Sequence, residues 1–540
     1  MRPSTKGDTT PKRAGRQWTV LDDFLRLANT QPEQTALVSY LASNPDPTVL
    51  SYAKMARLVD KLAIKLLALG VKPKEFVSYQ LPNRWEFAVA HLATIRIGAI
   101  ANPIMPIYGK REVRFMLERT RSQVCITVKR TARAELGKML TEIKDDSGVL
   151  KHLVLIDDGT DSLENQLKDI RVDEEVRRRL DRLKPNPDDI EAVMFSSGTT
   201  GEPKAVLHSF NSTYLSVANS LKKMEIRDKD VVLMSSPLGH ATGFLYGFEM
   251  PLMCGCKFVL QDTWNPEDML RVIERERVTW TMGSASFIKD ACDAAEGEKF
   301  DTSSLRSFVS GGAPIPPQLV GRMTQLLGGK LIPCWGMTEL GIGTLCSLQD
   351  SEEKRSSCDG TPVEGVELRI VDDHGNVLPP NIPGNLQIRA TAQHVGYFMN
   401  DALYKSSFQD GWFKTGDLGR INEHGELRVV GRSKDIVIRG GENIPIIEIE
   451  NMLRDHPGVA DIVIVGVQDE RLGERCHAVI VPKIPGCKLT LSDLTSYLEK
   501  LEVTKQYWPE SLSMADSLPR TASGKVQRFV IREAIIKWGR

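Results

Sequence analysis

Short apolar runs of four or five residues alternate with longer amphipathic stretches through the middle of the chain, at 191–195, 231–234, 257–260, 278–282, 305–309 and 330–333. Runs this short suit buried strands better than helices, and their spacing by helix-like stretches predicts an α/β fold with layered βαβ sheets. Several runs end in Gly-, Ser- or Pro-rich segments. Ligands of open α/β sheets bind beyond the carboxyl ends of the strands, so these segments are expected to converge on one site. From about Thr361 the pattern changes to short alternating runs, 367–371 and 384–388, which predict a smaller antiparallel β unit. After Gly431-Arg432-Ser433-Lys434-Asp435 a compact α+β pattern begins, with a helix over 446–454 and strands at 462–467 and 478–481. The expected organisation is a flexible tail at 1–20, a large domain at 21–432 and a small mobile domain at 433–540. No period of 20 to 50 residues and no low-complexity tract interrupts it.

The most apolar stretch, 87–108, contains His91, Arg96, Asn102, Pro103 and Pro106. It falls short of the ~20 apolar residues a membrane span needs and reads as a buried helix running into a loop. With 540 residues the chain exceeds what one hydrophobic core holds, in agreement with two units. Lys plus Arg equals Asp plus Glu at 70 each, which excludes a net field that would gather nucleic acid or an anionic membrane. The nine cysteines are scattered, and the close pair Cys254 and Cys256 has no second pair at zinc-ligand spacing. They read as reduced thiols of a cytoplasmic protein. The first sixteen residues carry Arg2, Lys6, Lys12, Arg13 and Arg16 against Asp8, without the apolar core of a secretory signal. They read as a flexible tail, with an organelle transit peptide as the alternative.

The densest chemistry lies in Ser196-Ser197-Gly198-Thr199-Thr200-Gly201-Glu202-Pro203-Lys204, where hydroxyls, glycines and a lysine offer many donors to phosphate oxygens at little steric cost. Its spacing is not that of the G-x-x-x-x-G-K-[ST] phosphate loop, and taken alone it could be a serine-rich surface turn. Five further segments follow in order: Ser310-Gly311-Gly312-Ala313-Pro314, Trp335-Gly336-Met337-Thr338-Glu339, Thr415-Gly416-Asp417, Gly431-Arg432-Ser433-Lys434-Asp435, and Pro519-Arg520-Thr521-Ala522-Ser523-Gly524-Lys525. On these six segments the chain, beyond about residue 20, resembles the superfamily of adenylate-forming enzymes, which comprises acyl-CoA synthetases, adenylation domains of peptide synthetases and luciferases.

The resemblance implies a role for each segment. Ser196, Ser197, Gly198, Thr199, Thr200, Gly201 and Lys204 would hold the ATP phosphates, and Glu339, next to Thr338, would ligate Mg2+, a hard cation that prefers oxygen. Glu339 as an acid at a helix N-terminus is the plain alternative. Gly312, Ala313 and Pro314 would form a flat wall for adenine, with Gly336 and Met337 nearby. Trp335, where the family commonly has Tyr, would stack or brace the opposite side. Asp417 would accept from the ribose hydroxyls, with Arg432 as a second contact, unless Asp417 is only a turn residue after Gly416. Lys525 would bridge the attacking carboxylate and the α-phosphate, where its charge offsets that of the transition state. A solvated basic face is its bland reading. Lys434 matches the hinge, and Gly440, Gly441, Glu442 and Asn443 would line the path of coenzyme A. His240, with Phe244, Gly311 and Gly343, would border the acyl substrate, although a lone histidine is often structural.

The activity implied is that of an AMP-forming acyl-CoA synthetase: a carboxylate and ATP give acyl-AMP and pyrophosphate, and coenzyme A then displaces AMP. The 440–445 and 335–337 segments look most like bacterial medium-chain and alicyclic acid ligases, and the substrate implied is a medium-chain fatty or alicyclic/aromatic acid such as cyclohexanecarboxylate. The rivals are a stand-alone adenylation enzyme that loads a carrier protein and a non-catalytic ATP-binding sensor or scaffold. The partners expected are a small carboxylic acid, ATP and CoA, with no nucleic acid and no membrane span, for a monomer or homodimer.

Overall fold

The six apolar runs all become strands, divided between two sheets. The computed structural model describes residues 15–157, 159–196, 203–312, 315, 317–432, 437–444, 446–484, 486–519, 526 and 528–538. Val231–Met234, Lys257–Gln261, Trp280–Gly283, Ser307–Ser310 and Lys330–Met337 lie in a nine-stranded sheet, and Ile190–Ser196 lies in a seven-stranded one. The five strands of the nine-stranded sheet pair in parallel, as continuous apolar runs covered by helices on both faces should. Their carboxyl ends therefore share one edge. Ile190–Ser196 pairs antiparallel with Lys204–Ser209, and the Ser/Thr/Gly-rich segment lies between the two strands in sequence.

The most apolar stretch forms the helix Trp85–Arg96, in which every residue is buried. Its charges are paired, as burial demands: Arg96 Nε lies 3.1 Å from Asp60 Oδ1 and Nη1 lies 2.9 Å from Asp181 Oδ1. The expected loop after this helix is instead the strand Ile100–Ile104, despite Pro103 within it. That strand pairs over its length with Phe76–Gln80 but meets Ile190–Ser196 at Ala101 opposite Ala192, so the N–H that Pro103 lacks falls outside this second contact.

The small antiparallel unit contains Val366–Val371, Gly384–Ala390, Phe408–Gln409, Trp412–Ile421 and Leu427–Arg432. Beyond it, Val437–Arg439, Glu442–Ile444, Val459–Asp469, Gly473–Pro482 and Ser511–Met514 form a last sheet, accompanied by the helices Ile446–Arg454, Leu491–Lys500 and Arg528–Trp538. Among the described residues no helix is long and apolar enough to cross a membrane. All nine cysteines are free. The basic tail reading falls largely on residues 1–14, outside the described residues.

The last unit packs against the body of the chain through an apolar cluster that joins Ile104, Met105, Tyr108 and Val113 to Ile444, Ile446, Val503 and Tyr507. One hydroxyl organises the polar part of this seam. Thr504 Oγ1 accepts from the Gly109 N–H at 3.0 Å and donates to Glu112 Oε2 at 2.7 Å. Burial raises the Glu112 carboxyl above its ordinary range, and the Thr504 hydrogen bond opposes that rise. Thr504→Val removes both bonds at constant shape and should destabilise the protein by ~1–3 kcal/mol. Thr504→Ser should recover most of the loss. Denaturant midpoints of the three proteins check this, and a Val variant as stable as the parent would contradict it.

Candidate active site

At the shared strand edge lies a cavity of about 530 Å³. Ser196 and Lys204 reach it from the two arms of the hairpin, His240 from the segment after Val231–Met234, and Met282 from Trp280–Gly283. Gly311 and Gly312 enter after Ser307–Ser310, and Gly336, Met337, Thr338 and Glu339 close the end of Lys330–Met337. Asp417 lines it from the small β unit and Gly441 from the last sheet. Strand ends far apart in sequence are thus brought together.

The charged centre is built around Glu339, which is only 4% exposed. Tyr397 OH donates to Glu339 Oε1 at 2.8 Å, and Lys204 Nζ lies 3.9 Å from the same oxygen. The Lys204 ammonium also sits 5.3 Å from the centre of the Tyr397 ring. Burial, and then the charge of Glu339, push the Tyr397 phenol far above its usual range, so it remains a donor. The backbone of this corner is fixed from outside: the His394 N–H donates to the Glu339 carbonyl at 2.7 Å, and His208 Nε2 is 2.8 Å from the Thr338 carbonyl. A held carboxylate beside a cation suits a hard metal ion and polyphosphate oxygens. Neither Tyr397 nor His208 stands in a recognisable motif, and the sequence reading missed both.

Trp335 departs from expectation. Its ring is buried behind the cavity among Leu340, Leu386, Phe413 and Leu427, and Nε1 donates to Asp417 Oδ2 at 2.9 Å. A buried indole N–H needs an acceptor, and the carboxylate supplies it. Trp335 therefore braces Asp417 rather than stacking across the cavity. The Asp417 N–H donates in turn to Thr415 Oγ1 at 3.0 Å, which fixes the backbone that carries the carboxylate.

Phe244 and Gly343 also lie behind the lining. Phe244 is fully buried against His91, with ring centroids 4.9 Å apart. A Cβ at Gly343 would stand 2.5 Å from the Trp335 ring, so this glycine admits the indole. Leu245, Tyr246, Met282, Cys334 and Ile342 line the same cavity as His240. Tyr246 is held through its hydroxyl, which donates to the Ser216 carbonyl at 3.1 Å and accepts from the Ile342 N–H at 2.8 Å.

Of residues 440–443, Gly441 reaches the cavity, at φ +87° and with a would-be Cβ 3.2 Å from Ser284 Cβ. Gly312, at φ +81°, faces the Gly441 carbonyl at 3.7 Å from its own would-be Cβ. A side chain at Gly441 would be both strained and crowded. Gly440 turns the hairpin beside it, and Glu442 and Asn443 pair with Arg439 and Ile438. The Arg432 backbone pairs opposite Asp417. Ser197, Gly198, Thr199, Thr200, Gly201, Ala313, Pro314, Lys434 and Lys525 lie outside the described residues.

Comparison with known proteins agrees with this geometry. Residues 24–398 match the AMP-binding enzyme family and 448–525 match the AMP-binding enzyme C-terminal domain. The medium-chain fatty-acid–CoA ligase of Escherichia coli (strain K12) is 31% identical over 520 residues, 96% of this chain and 90% of the ligase. Among solved structures, a double mutant of o-succinylbenzoate CoA synthetase from Bacillus subtilis, bound with its product analogue, is 26% identical. It superposes at a TM-score of 0.81 over 96% of this chain and 99% of its own. ATP-bound MatB from Rhodopseudomonas palustris, 24% identical, superposes at 0.67 over 97% and 100%. The chain belongs to the AMP-binding enzyme family and, within the adenylate-forming superfamily, to its acyl-CoA synthetase type.

Proposed function

We propose that the chain is an acid–CoA ligase for a medium-chain or alicyclic acid with an uncharged tail, such as cyclohexanecarboxylate. One observation carries this reading: a single cavity is lined both by the Lys204–Glu339 pair and by His240 with the apolar or aromatic residues Leu245, Tyr246, Met282, Cys334 and Ile342. A carboxylate seated by His240 would reach the phosphate end while its tail lies on apolar walls. A second charge on the tail would be buried unpaired. The E. coli relative is named for a medium-chain acid, which agrees.

In this reading Lys204 and the 197–201 segment bind the β- and γ-phosphates and Asp417, held by Trp335, receives the ribose. Mg2+ on Glu339 would offset phosphate charge. Lys525 aligns the carboxylate with the α-phosphate for the first step. The part from 433 to 540 then turns about Lys434, and the Gly440–Gly441 turn borders the approach of the CoA thiol. The close approach of the Gly441 turn to Ser284 and Gly312 supports assigning the described arrangement to the second step. A cytoplasmic location belongs to the same reading and agrees with nine free thiols.

Three experiments test it. With ATP and CoA, hexanoate, octanoate and cyclohexanecarboxylate should be used, while acids of similar length with a second carboxylate should lose ~10²-fold or more in kcat/KM. Equal use of a dicarboxylic acid would refute the tail assignment. Lys525→Ala should abolish acid-dependent ATP–pyrophosphate exchange yet convert supplied acyl-AMP to thioester. Lys434→Pro, with φ fixed, should do the reverse, and Lys434→Ala should be mild. Equal loss of both half-reactions in either the Lys525 or the Pro variant would remove its assigned role. Finally, Trp335→Phe keeps an aromatic ring but removes the indole N–H that donates to Asp417, so the KM for ATP should rise about tenfold with the acid KM unchanged. An unchanged ATP KM would place the ribose elsewhere.

A further inference from the structure

Away from the cavity, three ionisable side chains from distant parts of the sequence meet in the core. His91, Glu191 and Glu249 are at most 1% exposed, and one polar atom of each lies within 4.8 Å of the other two. Most of the cluster is satisfied. Tyr79 OH is 2.8 Å from His91 Nδ1, His91 Nε2 is 3.2 Å from Glu191 Oε1, and Thr213 Oγ1 donates to Glu191 Oε2 at 2.6 Å. The Tyr79 phenol, raised far above its usual range by burial and then by the nearby carboxylates, keeps its proton for Nδ1. That leaves the Nε2 proton for Glu191. Glu249 is the exception: among the described residues neither of its oxygens has a partner in hydrogen-bond geometry.

Two adjacent buried carboxylates cannot both stay ionised without a further cation. Arg16, the charged group that bears on Glu249 from the N-terminal segment, is already paired with Asp23. Burial and the neighbouring Glu191 charge push Glu249 well above the carboxylate range, whereas the hydrogen bonds to Glu191 outweigh its own desolvation and hold it below. The pair is then one acid and one carboxylate.

The placement of the pair gives it a use. Glu249 ends the i→i+5 helix Gly243–Glu249, which carries Leu245 and Tyr246 of the cavity wall. Such π-helical turns recur at functional sites. Phe244 and Phe248 of the same helix pack on the His91 ring, at 4.9 and 5.0 Å between centroids. Glu191 stands in the strand whose last residue, Ser196, lines the cavity and opens the phosphate-binding segment.

We propose that Glu249 is a positioning residue: as a neutral carboxylic acid it donates to the Glu191 carboxylate and ties the helix bearing Leu245 and Tyr246 to the strand that leads into the phosphate-binding segment. The effect on acid binding rests on the function proposed above; the protonation state does not.

Infrared difference spectra of the intact protein against E249Q, with KM values for both and for E249L, test the proposal. The parent should show a carboxylic-acid carbonyl band that E249Q lacks. Gln can still donate to Glu191, so E249Q should keep the parental acid KM. E249L cannot donate, and its acid KM should rise about tenfold (~1.4 kcal/mol) while the ATP KM stays in place. Absence of the band, or a stoichiometric divalent metal found in the dialysed protein by elemental analysis, would overturn the proposal. So would equal impairment of E249Q and E249L, or acid and ATP KM rising together. If E249L does not fold, the parent and E249Q spectra still decide. A parent that shows the band but activates no acid would refute the ligase reading and leave the acid–carboxylate pair standing.

Discussion

The strand Lys330–Met337 is the member on which both sides of the cavity hang. Its first four residues pair in parallel with Ser307–Ser310, and its last four pair antiparallel with Gly341–Leu345. A register shift falls between Trp335 and Gly336. Strict alternation would send Cys334 and Gly336 to one face and Trp335 and Met337 to the other. The shift breaks the alternation, as bulges beside active sites do, so that Cys334, Gly336 and Met337 line the cavity while Trp335 turns back onto Asp417. The apolar wall, the Glu339 corner and the carboxylate on the small β unit are thereby set by one strand. A slip of one residue would exchange the indole with the lining and separate Trp335 from Asp417.

This also explains what the sequence could and could not tell. The strands were readable because buried parallel strands are short apolar runs, and the helix Ile446–Arg454 was readable from its period. Pro103 concealed a strand, since its tolerance depends on which neighbour needs the missing N–H, and that is a tertiary fact. The motifs located Lys204, Glu339, Gly312, Gly336, Asp417 and Gly441 at the cavity. Trp335, Phe244 and Gly343 stand behind the lining instead, because a motif gives nearness along the chain, whereas facing depends on the bulge and on the helix Gly243–Glu249. Tyr397 and His208 had no signal: each is a lone polar residue whose importance comes from the oxygen it meets.

His91, Glu191 and Glu249 illustrate the same limit in the core. Each sits in an apolar stretch, where a lone polar residue reads as tolerated. Only the fold puts them together, and burial then makes their protonation a question of pairing rather than of solution pH. The triad and the Glu339 corner solve the same problem differently: Glu339 has Lys204 and Tyr397 beside it, while Glu191 has His91, Thr213 and a second carboxyl.

The seam between the body and the last unit bears on how two reactions could share one cavity. Its apolar contacts are supplemented by a short list of polar ones, including Thr504 with Gly109 and Glu112, and Arg471 with Asp290 at 3.1 Å. Exposed ion pairs such as the last contribute little, ~0–1 kcal/mol, and are re-solvated easily when broken. At Gly441, where φ is +87°, a side chain would be strained and its Cβ would press on Ser284 Cβ at 3.2 Å. On the proposed function this matters, because the turn and the Lys525 segment must use the cavity mouth in succession. A bulkier turn would hold the mouth open in both states, whereas glycine lets the backbone itself close it and withdraw at little steric cost. The identity of residue 441 is then set by the need to leave the site as much as by the need to fit it.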